Sequence, residues 1–75
     1  MEQRYKNLAG DSGVLSFEIR ADSIIVTFVG GARYLYDRTK PGLHHVSMMK
    51  RLAEAGRGLA SYIARNVKKE AVKLR

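Results

Sequence analysis

The chain has 75 residues, of which 14 are Lys or Arg and 7 are Asp or Glu, and it contains no cysteine. A single domain of this size hides only about 60% of the surface its unfolded chain exposes, so the core is thin, and without thiols neither disulfides nor thiolate metal sites are available. The net charge of +7 is uneven: residues 1–42 hold six basic against five acidic side chains and residues 43–75 hold eight against two, an asymmetry that suits an anionic partner.

In chain order, residues 1–13 mix charges with Gly10, Asp11, Ser12 and Gly13 and show no period. They read as a loosely ordered arm ahead of one domain at 14–75. The arm lacks an apolar signal core, and no run approaches the roughly 20 residues that cross a bilayer. The expectation is a soluble cytoplasmic chain that uses no membrane.

From Val14 the pattern alternates. Leu15, Phe17 and Ile19 fall on one face and Ser16, Glu18 and Arg20 on the other. "SIIVTFV" is β-branched or aromatic at nearly every position, as a central strand is. "GG" then supplies positive φ, and "ARYLYDR" forms a third strand. The three make an antiparallel meander.

An even-length loop at Gly30 and Gly31 sets Thr27 against Tyr34 and Ile25 against Tyr36, and opposed residues share a face. The core face is then Leu15, Phe17, Ile19, Ile24, Val26, Phe28 and Leu35. Ser16, Glu18, Ile25, Thr27, Tyr34 and Tyr36 occupy the other face, so this register turns both tyrosines away from the core. An odd-length loop or a bulge reverses the third strand and buries them.

Pro41 ends the sheet region. Leu43, Val46, Met49, Leu52 and Ala53 form a helical stripe that Gly56 and Gly58 interrupt. A second helix is expected from about Leu59 to the C-terminus, with Leu59, Ile63, Val67, Ala71 and Leu74 inward. At about 100° per residue, Arg57, Arg65, Lys68, Lys69 and Arg75 gather outward, with Tyr62 at the margin near Lys69 and Lys73. The fold class is α+β: a three-stranded antiparallel meander with two C-terminal helices packed on one face.

In this order of parts the chain resembles the KTSC domain, the small domain named after the C-terminus of lysyl-tRNA synthetases. That family has a mid-sequence Tyr-x-Tyr after an apolar strand ending in Phe and a Gly turn, followed by Pro and two short helical stretches. Val26, Phe28, Gly30 and Gly31 precede Tyr34 and Tyr36 here, Pro41 follows, and Gly56, Leu59, Tyr62 and Ile63 match the rhythm of the C-terminal half. The likeness spans roughly residues 12–67. It departs where the family's Ala-x-Ser-x-Gly reads Leu52, Ala53, Glu54, Ala55, Gly56. The resemblance implies an RNA-binding role.

His44 and His45 diverge by about 100° on a helix, whereas two ligands on one helix want i, i+4 spacing, so no metal is expected. Asp11, Glu18, Asp22, Asp37, Glu54 and Glu70 are scattered without a partnered nucleophile. The chain therefore reads as a non-enzymatic module without cofactor. "GGAR" and "GRG" lack the order of a phosphate loop and read as a hairpin turn and a helix break. Met48 and Met49 read as flexible core filler.

Two readings of function remain. Arg57, Arg65, Lys68 and Lys69 can neutralise phosphates, while Tyr34 and Tyr36, with Arg20 on the same uncovered sheet face, supply the residue types of a stacking platform. That is nucleic-acid binding, favouring RNA. The other reading is a protein-interaction or self-association module, a homodimer through the sheet face or an edge strand.

Overall fold

The structure, a computed structural model, describes residues 2–10 and 12–74. It has strands β1 (Glu2–Arg4), β2 (Val14–Ile19), β3 (Ser23–Phe28), β4 (Arg33–Asp37) and β5 (Val72–Lys73). Helix α1 covers Leu43–Ala55, and helix α2, Leu59–Tyr62, runs on into a π-helical turn at Ile63–Val67. The strands form one antiparallel sheet in the order β1-β2-β3-β4-β5. The α+β class holds, and the expected meander is the middle of a five-stranded sheet.

Both additional strands come from segments that the hydrophobic period does not mark. The expected arm contains β1, whose Glu2, Gln3 and Arg4 pair with Glu18, Phe17 and Ser16. The Tyr5 N–H continues the ladder to the Leu15 carbonyl at 2.9 Å, and Tyr5 is buried. At the other end the expected helix stops short of the C-terminus. A turn follows Val67, and Val72 and Lys73 pair with Leu35 and Tyr34 of β4.

The β2–β3 register matches the expectation at Ile19–Ile24 and Phe17–Val26 but shifts between Val14 and Ser16. This bulge at Leu15 leaves it 48% exposed and turns Val14 into the core instead.

The third strand is reversed relative to the expected register. Thr27 pairs with Arg33, Val26 with Tyr34, Ile25 with Leu35 and Ile24 with Tyr36. The Phe28 N–H donates to the Ala32 carbonyl at 2.8 Å, which leaves the three-residue loop Val29–Gly30–Gly31 with both glycines at positive φ. An odd loop moves every side chain of the strand to the opposite face. Charge burial explains the choice: the even register would have turned Arg33 and Asp37 inward with Leu35, and two unpaired charges in a thin core cost far more than one half-buried leucine on the outer face. The tyrosines therefore face the helices, and Leu35 belongs to the outer face.

Val46, Met49 and Ala53 of α1, Leu59 of α2, and Ile63 and Val67 of the π turn pack on Phe17, Ile24, Val26 and Tyr36, with Tyr5 and Val14 completing the core. Leu43, placed in the stripe, is exposed, while Ala71 packs partly against the core and Leu74 faces solvent. Lys50 ties α1 to the sheet, its ammonium donating to the carbonyls of Arg20 and Ala21 at 2.6 and 2.9 Å. The Asp37 carboxylate accepts from the backbone N–H groups of Thr39 and Lys40, both at 3.0 Å, and so shapes the link from β4 to α1. No helix among the described residues is long and apolar enough to cross a membrane.

Candidate functional site

Where the inner face of the β3–β4 hairpin meets the π turn, a cleft of about 350 Å³ is lined by Phe28, Ala32, Tyr34, Tyr36, Ile63 and Lys68. Each wall follows from local structure. The odd hairpin loop brings Tyr34 and Tyr36 onto the inner face, and Phe28 meets Tyr34 edge to face, with ring centroids 5.7 Å apart and planes at 78°. Ala32, opposite Phe28 at the hairpin end, is too small to fill the space. The π turn explains Lys68. On a regular helix a residue five positions after Ile63 points well away from it, whereas i→i+5 closure places the two on one side. A projection at 100° per residue therefore misplaced this lysine as purely outward.

Tyr36 forms the deep part of the cleft, at 2% exposure. Neither its hydroxyl nor that of Tyr34 bonds to another described residue, and among those residues no buried side-chain nitrogen or oxygen lacks a partner.

Burial, aided by the neighbouring Tyr34, pushes the Tyr36 phenol up from 10.0 to about 12. Below pH 10 the phenol is protonated in both the folded and unfolded chain; between pH 10 and 12 only the unfolded chain ionises, so folding stability falls across that window. The expected loss is about 2 kcal/mol. Urea unfolding at pH 9 and pH 11.5, with Tyr36→Phe as reference, isolates it from lysine titration, because the variant lacks this component of the slope.

The cations divide into engaged and unengaged groups. Arg20 donates to Glu18 at 2.8 Å, and that hydrogen bond holds the Glu18 carboxyl below its ordinary range. Arg38 pairs with Asp22 at 3.5 Å. Arg57, Arg65, Lys68 and Lys69 are exposed and form no ion pair among the described residues. Lys73 joins them: it opposes Tyr34 across β4 and β5 and therefore shares the inner face with it.

Of the residues expected to form a site, the fold brings together Tyr34, Tyr36 and Lys68, with Arg65 and Lys69 on the same segment. Two are separated from them. Arg20 lies at the β2–β3 turn, the opposite end of β3 from the cleft, and on the face away from the tyrosines. Arg57 sits beside Gly56, whose backbone contacts the N-terminal segment near Lys6. The stacking platform on an uncovered face is therefore replaced by an aromatic cleft on the helical side. Arg75, assigned to the same stripe, lies outside the described residues, as does Asp11.

Tyr62, expected at the basic margin, faces α1 instead: its hydroxyl shares a 2.7 Å hydrogen bond with Nδ1 of His45, and the two rings lie 5.8 Å apart. This bond ties α2 to α1. His44 is exposed and His45 half-buried, and among the described residues no group of three or more His, Asp or Glu is arranged to hold a metal.

Phe28, Ala32, Ile63 and Lys73 escaped the sequence reading as site residues. The signal for the first two was the alternation in "ARYLYD", where Arg33 and Asp37 are the residues to keep out of the core. The other two depend on a π turn and on a two-residue strand, and neither has a period of its own. No protein-family description, curated protein or solved structure matches this chain.

Proposed function

We propose that this chain is a small non-enzymatic module that binds single-stranded nucleic acid, RNA in preference. One observation carries the reading: four cations that form no ion pair among the described residues, Arg65, Lys68, Lys69 and Lys73, lie on the segment and strand that border an aromatic cleft. Cations at such a rim neutralise successive phosphates whatever the sequence, and aromatic walls accept any base. The resemblance to the KTSC domain points in the same direction. Arg57 lies at the other end of the helical segment, away from the cleft, and Arg20 is already paired with Glu18.

With about four phosphates neutralised, log Kd against log salt should have a slope of magnitude about 3 for a single strand. Replacing Arg65, Lys68 and Lys69 together by Gln should weaken binding equally for all sequences and cut that slope to about 1. Fluorescence anisotropy with labelled oligomers across a salt series measures both, and an unchanged affinity and slope in the triple variant would remove the proposal.

Self-association is favoured by a different surface. The helix-free face carries Leu35, Val72 and Leu74 side by side, the last two 47% and 45% exposed, and β1 and β5 are short open edges. Light scattering over a concentration series tests this, and a monomer at every concentration excludes the homodimer.

A further inference from the structure

The cleft has a property that phosphate attraction does not require. It is a shallow, open cleft rather than a flat platform: Phe28 and Tyr34 meet edge to face on one side, Tyr36 is its most buried residue, and Ile63 and Lys68 line the helical side. Its volume of about 350 Å³ is at the small end of the range for ligand pockets, about 300–1,000 Å³. Two phenol hydroxyls bond to no described residue, and burial keeps that of Tyr36 protonated and able to donate through the neutral range. Among the described residues, the ionisable groups besides the phenols in the lining or opposite it in the ladder are the cations Lys68 and Lys73. A flat ring with carbonyl acceptors and a covalently attached anion satisfies all of these together.

We propose that the cleft is a pocket for a single unstacked nucleobase of an RNA strand, the ring entering between the Phe28–Tyr34 wall and Ile63 and the adjoining phosphate resting on Lys68 and Lys73. This rests on the RNA reading above and adds to it one discrete position at which the strand leaves the surface and enters the protein. The remaining cations, Arg65 and Lys69, then act on flanking phosphates. Tyr36 donates to a base carbonyl, a contact that pyrimidines and guanine offer and adenine does not.

Uridine 5′-monophosphate, ribose 5-phosphate and a uridine hexamer serve as probes, read from amide, aromatic and methyl NMR signals. Uridine 5′-monophosphate should move the ring signals of Phe28, Tyr34 and Tyr36 and the methyl signals of Ile63, whereas ribose 5-phosphate should leave the rings unmoved. Ala32→Leu narrows the mouth without removing a charge. With the fold verified by its amide spectrum, it should bind the hexamer about tenfold more weakly at an unchanged salt slope. Tyr36→Phe gives a second measure, reducing uridine over adenosine preference to about parity.

The pocket is refuted if the hexamer binds with the expected salt slope while Ala32→Leu binds as tightly as the parent and the monophosphate leaves the cleft signals in place; phosphate attraction then stands alone. If the hexamer does not bind at low salt, the RNA reading itself falls. Cleft shifts from the monophosphate under that second outcome would overturn the strand version and reassign the pocket to a free nucleotide.

Discussion

Tyr5→Ala should destabilise the fold by about 3–5 kcal/mol, the loss typical of deleting a buried aromatic side chain. Tyr5 is 4% exposed and packs in the same cluster as Met49, Leu59 and Val67. Its hydroxyl also accepts a hydrogen bond from the Leu59 N–H at 3.3 Å, one of the first N–H groups of α2, which have no partner within the helix. A chain of this length has about 5–10 kcal/mol of stability in total, so the variant should lose between about a third and all of it. Tyr5→Phe keeps the ring and loses only the acceptor, so about 1 kcal/mol is expected. Urea unfolding followed by circular dichroism measures both. A Tyr5→Ala midpoint equal to the parent's would mean that the N-terminal segment is the loose arm its composition suggests.

Gly56→Ala should cost about 2–5 kcal/mol, from two additive causes. Gly56 ends α1 at φ +78°, with its N–H bonded to the carbonyls of Leu52 and Ala53, a left-handed conformation that costs an L-residue about 1–2 kcal/mol. A Cβ there would also stand 2.6 Å from Cβ of Lys6. That atom is fixed to the backbone, so relief requires the N-terminal segment to move, at the usual overpacking cost of about 1–3 kcal/mol. The same shift would strain the 2.8 Å hydrogen bond from the Leu8 N–H to the Gly56 carbonyl. Gly58→Ala is the control: φ is +80°, and the added Cβ would meet only a Leu52 methyl at 3.5 Å, an ordinary contact. It should show the conformational cost alone, about 1–2 kcal/mol. Equal losses in the two variants would argue against the close contact with Lys6.

Tyr5→Ala and Gly56→Ala probe the same feature, the docking of residues 2–8, and it matters beyond stability. Tyr5 buttresses Leu59 at the start of the helical segment that carries Ile63 and Lys68 to the cleft. If the chain binds RNA as proposed, a weakened N-terminal segment should lower that affinity while leaving every charge in place, which separates it from the lysine and arginine substitutions.

The sequence by itself determined the α+β class, the three central strands, most of the buried stripe of α1 and the break at Gly56 to Gly58, because amphipathic period and glycine conformation are local properties. It also located the positive charge in the C-terminal half. Three matters were decided only in the tertiary structure. The face taken by Tyr34 and Tyr36 turned on a single residue in loop length, settled by the cost of burying Arg33 and Asp37. The edge strands β1 and β5 contain three and two residues, too few for a period, and exist because β2 and β4 offered them unpaired backbone. Lys68 reached the cleft through a π turn, a departure from regular helix that closes over the sheet and is not written in any spacing of side chains.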